Sequence, residues 1–161
     1  MTATEQYVRG LERLKNGELS LLRTHAGRGL DETLHGFDVF TGLWWPIRQT
    51  NPRVPRREVA WLIAKLYAFR LLEHAPDYTL ARGLRRCRPR GGDALERFEK
   101  RLDGLLTLSL TKIEPALRWA LNELAEANLK LDWVRLTDEL SIWERESTRL
   151  AWAEQYLGTD E

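Results

Sequence analysis

The chain is organised around the stretch Arg82-Gly-Leu-Arg-Arg-Cys-Arg-Pro-Arg-Gly-Gly92, which carries five arginines and no acidic residue. Five like charges this close repel one another, so the segment is not expected to fold inward without an anionic partner. Pro89 and the two glycines after Arg90 interrupt regular structure there. We therefore predict two lobes around this stretch: an N-terminal lobe (1–78), an arginine-rich connection (79–92) and a C-terminal lobe (93–161).

Two interpretations of this arginine-rich stretch remain open on its own composition. Arginine presents a flat, permanently charged fork that matches phosphate oxygens two at a time, which favours contact with a nucleic-acid backbone. The alternative is a solvated loop whose arginines keep the protein soluble.

Charge is distributed unevenly along the chain, although the net charge is only +1. Residues 1–47 carry a net charge of −1, residues 48–90 a net charge of +8 and residues 91–161 a net charge of −6. A strongly basic middle third indicates a polyanionic partner. The acidic C-terminal part could instead pair with another protein, or with the basic middle of a second copy.

Helical periodicity extends through both halves, and no stretch alternates like a strand. The pattern predicts an all-α protein of about seven to nine helices in two small helical-bundle lobes. The longest predicted helix runs from Arg56 to Glu73. Leu30–Leu43 is predicted to form one or two short helices that stop at Trp44-Trp45-Pro46, because the residue before proline resists helical angles.

Side-chain caps mark several of the predicted helix starts. Thr2 and Glu5 form a capping-box pattern, as do Asp93 and Glu96. Thr79 is predicted to cap a short helix through Arg86, and Asp132 is predicted to cap a later one. That later helix carries an apolar stripe at helical spacing, formed by Trp133, Leu136, Leu140 and Trp143.

The seven tryptophans are many for a chain of this length. The helical spacing of Trp133 with Trp143, and of Trp152 with Tyr156, favours core packing over base stacking. Trp44 and Trp45 precede a basic loop and are the least secure core candidates.

Motifs of catalysis are absent from the sequence. The three histidines, His25, His35 and His74, have no partner at metal-ligand spacing and are predicted to have surface or capping roles. There is no phosphate-binding loop, dinucleotide fingerprint or nucleophile elbow. We expect neither a catalytic residue nor a cofactor. A remote alternative is an enzyme that uses Cys87, whose arginine neighbours would lower the pKa of its thiol.

The cellular setting is predicted from two further absences. Cys87 is the only cysteine, so no internal disulfide can form, which fits a reducing compartment. Neither a signal peptide nor an apolar run long enough to span a bilayer is visible. We expect a cytoplasmic protein with no membrane contact.

Several motifs together resemble the CasB family, the small subunit of the type I-E CRISPR Cascade effector complex. They are Gly17-Glu-Leu-Ser-Leu-Leu-Arg23, the apolar helix Val59–Leu71, and Leu95-Glu-Arg-Phe-Glu-Lys-Arg-Leu102. The most specific is Leu131-Asp-Trp-Val-Arg-Leu-Thr-Asp-Glu-Leu140, followed by Trp143 and by Arg149-Leu-Ala-Trp-Ala-Glu-Gln-Tyr156. Their order and spacing span almost the whole chain.

This resemblance implies a helical, non-enzymatic subunit that is present in two copies and contacts other Cascade subunits. Such subunits lie near the guide RNA (crRNA) and its target DNA and help to hold the displaced DNA strand. Guide pairing supplies the sequence information, so the subunit needs only a positive track for phosphates.

We therefore predict a nucleic-acid-binding surface made of arginines, which stabilises the guide RNA, target DNA and displaced strand without sequence preference. The alternative is a helical protein–protein adaptor with no direct nucleic-acid contact. The candidate contacts are Arg23, Arg53, Arg56, Arg57, Arg82, Arg85, Arg86, Arg88, Arg90, Arg97, Arg101 and Arg118.

Overall fold

The computed structural model describes residues 1–30 and 35–159, with only the backbone described for 35–37. Within these ranges the chain forms nine α-helices and no strand, which confirms the all-α prediction. In order they are α1 (Ala3–Glu12), α2 (Asn16–Arg23), α3 (His35–Thr50), α4 (Arg57–Phe69), α5 (Leu80–Cys87), α6 (Gly92–Thr107), α7 (Glu114–Glu126), α8 (Trp133–Ser141) and α9 (Glu146–Leu157).

Among the described residues, no helix combines the length and the apolar character that are needed to cross a bilayer.

The chain divides into two compact units, Met1–Leu71 and Leu72–Glu161. This boundary lies before the one predicted from the sequence, and the arginine-rich stretch is part of the second unit. It folds there because Leu80, Ala81 and Leu84 give α5 a buried apolar side.

Helix α4 is the centre of the first unit. Nine of its residues are buried, and α2 and α3 both pack against it. Phe40 of α3 lies between two indoles, with ring centroids 5.8 Å from Trp44 and 5.7 Å from Trp61. The buried Tyr7 hydroxyl donates to the Ala60 carbonyl oxygen, which ties α1 to α4, and burial raises the pKa of Tyr7.

The second unit is built around three buried tryptophans. The indoles of Trp143 and Trp152 meet edge to face with centroids 4.9 Å apart. Trp133 is fully buried, and its Nε1 donates to the Leu72 carbonyl oxygen at 2.9 Å. The core roles predicted for these three side chains are confirmed.

Local capping signals set several helix starts as predicted. Thr2 and Glu5 form the predicted capping box of α1. The Thr79 hydroxyl accepts from the backbone N–H of Arg82 at the start of α5. The predicted box at Asp93 is wrong, because the N-cap of α6 is Gly91, two residues earlier, and no side chain caps the helix.

The predicted stop at Trp44-Trp45-Pro46 is also wrong, because α3 continues to Thr50 with Pro46 inside it. Proline removes one backbone hydrogen bond, to the carbonyl of Gly42. Gly42 and Pro46 are both exposed, so water can satisfy that carbonyl. Phe40 and Trp44 both precede Pro46, and their burial anchors this part of α3. Residues 31–34 of the predicted Leu30–Leu43 segment lie outside the described part.

Asp132 joins two loops of the second unit through one carboxylate. Its Oδ1 accepts from the N–H of Arg135 at 2.9 Å and so caps α8. Its Oδ2 accepts from the N–H of Asp77, also at 2.9 Å. Asp77 has a φ of 71°, in the left-handed region, so this bond holds a turn that few side chains favour.

We expect Asp132→Ala to lower the free energy of unfolding of the second unit by about 2 kcal/mol, because a helix cap and a second buried acceptor are lost together. Chemical denaturation followed by circular dichroism measures this change. Asp103→Ala, at an exposed position on α6, is the control and should leave the transition within about 0.5 kcal/mol. An unchanged unfolding transition for Asp132→Ala would show that the Asp132 cap does not stabilise the second unit.

Candidate nucleic-acid interface

Helix α5 positions the arginines of the central stretch by burying its opposite side. Leu80, Ala81 and Leu84 are at most 2% exposed, and α5 packs between α7 and α9. Gly83 permits the close approach to α7, because a Cβ atom there would lie 3.0 Å from a methyl carbon of Leu124. The guanidinium groups of this helix must therefore lie at its edges or face solvent.

Arg85 lies at an edge of α5 and completes the C-terminal end of another helix. Its Nη1 donates to the Tyr156 carbonyl oxygen in the last turn of α9 at 2.9 Å. Carbonyls in a last helical turn lack partners within the helix, and a cation there also meets the negative end of the helix dipole. Arg85 thus has a structural contact that the sequence analysis did not predict.

Arg88 is the C-cap residue of α5, and its guanidinium group lies over an aromatic ring. Its Cζ is 5.5 Å from the ring centroid of Tyr156. The Tyr156 hydroxyl donates to Oε2 of Glu99 at 2.9 Å. Burial and this acceptor raise the pKa of Tyr156 to about 12, against a smaller opposing effect of Arg88.

Arg101 is held in a similar way on the next helix. Its Cζ lies 5.7 Å from the ring centroid of Trp119, a side chain of α7 that is partly buried. Trp119 in turn meets Phe98 edge to face at 5.1 Å, and Phe98 stacks with Tyr156 at 6.4 Å. Arg88 and Arg101 therefore lie at the two ends of one row of aromatic side chains.

Three of the candidate arginines in the second unit are exposed and have no ion pair or side-chain hydrogen bond with any described residue. Arg86 follows Arg85 on α5, Arg90 lies in the turn before α6, and Arg97 lies on α6. Their side chains can reach an anion without breaking an existing contact. Arg82 and Arg118 are half-buried and both have partners within the protein.

The first unit contributes the other four candidates, and they also differ in role. Arg23 is structural, because its Nε donates to the Ala68 carbonyl oxygen in the last turn of α4 at 2.6 Å. Arg56 lies 3.9 Å from Glu58 in an exposed ion pair. Arg53 and Arg57 are exposed, and neither has an ion pair or side-chain hydrogen bond among the described residues.

Sequence reasoning missed Arg48 and could not decide the exposure of Trp45. Arg48 is exposed in the last turn of α3, beyond the point where the helix was predicted to stop. Trp44 is buried and its Nε1 donates to the Pro55 carbonyl oxygen at 2.7 Å, whereas Trp45 is 48% exposed. The signal was present, since Arg48 follows Trp45 by three residues and would share its side of a continuous helix.

Cys87 does not have the environment of a reactive thiol. Burial, followed by the nearby carboxylate of Glu123, raises the pKa of Cys87 to about 11. The prediction that neighbouring arginines lower this pKa is wrong, because burial and the Glu123 carboxylate shift it in the opposite direction.

The histidines and acids form no metal site in the part of the chain that the structure describes. His25 is buried, with its ring 6.0 Å from that of Trp61, so a surface role for it is wrong. His74 Nδ1 accepts from the backbone N–H of Trp133 at 3.1 Å. The side chain of His35 lies outside the described residues.

Comparison with known proteins gives one family and several solved structures. The family model described as CRISPR-associated protein Cse2 matches residues 18–157. The chain is similar to a crystal structure of CasB from Thermus thermophilus, with 26% identity over 98% of this chain and 99% of that one, at a TM-score of 0.70.

Two further structures agree with this chain in fold. CasB from M. ruber is 18% identical over 98% of this chain and 94% of that one, with a TM-score of 0.74. CasB from Thermobifida fusca is 20% identical over 96% and 94% respectively, with a TM-score of 0.69. A comparison with curated protein sequences gives no significant match.

The adjacent residues Arg85 and Arg86 provide a matched pair of substitutions. We expect Arg85→Ala to lower the free energy of unfolding by about 1–2 kcal/mol, because the end of α9 loses a charged hydrogen-bond donor. Arg86→Ala removes the same charge from solvent and should change it by less than about 0.5 kcal/mol. Thermal and urea unfolding measure both variants, and equal stability of the two would contradict the structural role of Arg85.

We also expect Cys87 to react slowly with iodoacetamide at pH 8. The attacking species is the thiolate, and a pKa of about 11 leaves on the order of 100-fold less of it at this pH than in an ordinary cysteine. Mass spectrometry of timed samples measures the rate, with a cysteine-containing peptide as the control. Labelling of the folded protein as fast as the peptide would show that the thiol is neither buried nor influenced by Glu123.

Proposed function

Because the chain belongs to the CRISPR-associated Cse2 family, we propose that it is a non-catalytic subunit of a type I-E Cascade surveillance complex. It binds the sugar-phosphate backbone of guide RNA, target DNA or the displaced strand without sequence preference. It works in the cytoplasm beside other Cascade subunits and a second copy of itself, without a cofactor.

One observation carries the nucleic-acid part of this proposal. Five candidate arginines are exposed and make no ion pair or side-chain hydrogen bond with a described residue, namely Arg53, Arg57, Arg86, Arg90 and Arg97. An exposed guanidinium already has its full charge and its fork of donors available, so binding a phosphate disrupts no protein contact. The first unit carries two of these arginines and the second unit carries three.

The remaining candidates have graded roles within this proposal. Arg56 is exposed, its long ion pair with Glu58 contributes little to stability, and it has a further contact within the protein. Arg88 and Arg101 keep their charge while lying over aromatic rings, which orients each fork without neutralising it. Arg23 and Arg85 serve the fold first, through the carbonyls that they cap.

A protein-binding role has its own support in the second unit. Leu150 and Leu157 are 57% and 60% exposed and lie seven residues apart on α9, which places them on one side of the helix. Together they give this side of α9 apolar surface that a partner helix or sheet would cover. In the proposed complex this side of α9 meets another subunit. As a complete explanation, the adaptor alternative requires that the protein has no affinity for nucleic acid.

Binding to a single DNA strand should weaken steeply with salt. If about five phosphates are neutralised, the logarithm of the affinity should fall with the logarithm of the salt concentration at a slope near −3.5. Replacing Arg86, Arg90 and Arg97 together with alanine should reduce the size of this slope by about 2, because each contact accounts for roughly 0.7. Fluorescence anisotropy of a labelled strand at several salt concentrations measures both slopes.

The control removes the same charge from exposed positions outside the candidate set, as Arg9→Ala, Lys112→Ala and Arg145→Ala in one variant. A slope that falls equally in both variants would assign binding to net charge rather than to the proposed surface. If the anisotropy of the labelled strand does not change when protein is added, and the protein self-associates as its concentration rises, the adaptor alternative is supported and backbone binding is rejected.

A further inference from the structure

Trp45 is an exposed indole on a rigid support. It lies on α3 with 48% of its surface accessible, in contrast to Trp44, at 9%. The Trp44 ring lies beside it, with centroids 6.1 Å apart and planes inclined at 43°. Trp44 is itself fixed by burial and by its bond to the Pro55 carbonyl oxygen. The backbone of Trp45 is therefore well anchored, while much of its ring faces solvent.

The surroundings of Trp45 are strongly basic. Residues 44–57 contain four arginines and no acid, and all four of these side chains are exposed. Arg48 lies one helical turn after Trp45 on the same side of α3. Arg53 lies in the loop whose Pro55 carbonyl holds Trp44. Along the same side of α3, the nearest carboxylate is Asp38, about 10 Å away at the helical rise.

We propose that Trp45 is a stacking platform for an unpaired nucleobase, and that Arg48 and Arg53 bind the phosphates on either side of that base. This inference rests on the proposed nucleic-acid binding and narrows its ligand to a single strand. The bases of a duplex are stacked on one another and cannot lie on an indole. Aromatic rings among cations are the usual means by which proteins hold single strands without reading their sequence.

Charge distinguishes this surface from a protein-docking surface. An exposed tryptophan alone would fit the centre of a protein interface. An apolar protein surface would leave the guanidinium groups of Arg48 and Arg53 without counter-charges. A single nucleotide supplies both an aromatic base for the indole and a phosphate for the arginines.

The experiment uses the full chain and two labelled strands of about 12 nucleotides, one of thymidines and one with the same number of phosphates but no bases. We expect Trp45→Ala to weaken binding of the thymidine strand by about 5- to 150-fold, the usual effect of losing one stacked base. Its affinity for the abasic strand should equal that of the wild-type protein, because the phosphate contacts are intact.

Trp45→Phe is the conservative control, since it keeps a ring that can stack. It should retain most of the affinity for the thymidine strand while losing the part of the fluorescence quenching that arises when a base covers Trp45. This separates direct contact from an effect on folding, which the melting temperature of each variant also measures.

The outcomes separate this inference from the proposed function. If the wild-type protein binds both strands, and Trp45→Ala binds each of them as tightly as the wild-type protein does, base stacking is rejected and backbone binding stands. If Trp45→Ala weakens both strands to the same extent, Trp45 acts through the fold, and stacking is again rejected. If the wild-type protein binds neither strand, the proposed function fails together with the stacking site.

Discussion

A guanidinium group cannot enter an apolar interior unless an acceptor or an anion meets it, and this constraint shapes the second unit. Helix α5 has enough apolar surface to pack between α7 and α9, but it brings several arginines with it. Arg85 stays at the edge of the packed region because the end of α9 offers it a carbonyl oxygen. Arg86 has no described acceptor and remains in solvent. The division between structural and available arginines follows from which acceptors lie within reach.

Much of the fold could be predicted from local sequence because its signals act over a few residues. The hydroxyl of Thr79 and the carboxylate of Asp132 bond to backbone groups three residues ahead, so the sequence alone marks these starts. Trp133, Leu136 and Leu140 follow the periodicity of α8, so their burial was predictable for the same reason, whereas Trp143 is buried beyond the end of that helix at Ser141. The predicted helix stop at Pro46 was wrong because the signal there is not local. The packing of Phe40 and Trp44 against residues distant in sequence outweighs the local effect of the proline.

The candidate site was less predictable because its contacts join residues that are far apart in sequence. Arg85 and its acceptor are separated by 71 residues, and Arg23 and its acceptor by 45. No pattern near either arginine distinguishes it from an exposed neighbour. Cys87 shows the same limitation, since its raised pKa comes from burial and from a carboxylate on another helix. Composition could identify a basic segment, but only the packing of helices decides which of its side chains are available.

The end of α9 couples two distant positions of the chain. Gly158 has a φ of 76°, a conformation that glycine adopts easily and asparagine tolerates. A Cβ atom at this position would lie 2.6 Å from Nη1 of Arg85, so any side chain there displaces this guanidinium group. A side chain at position 158 is therefore disfavoured twice, once by the left-handed backbone and once because it pushes Arg85 away from the Tyr156 carbonyl oxygen.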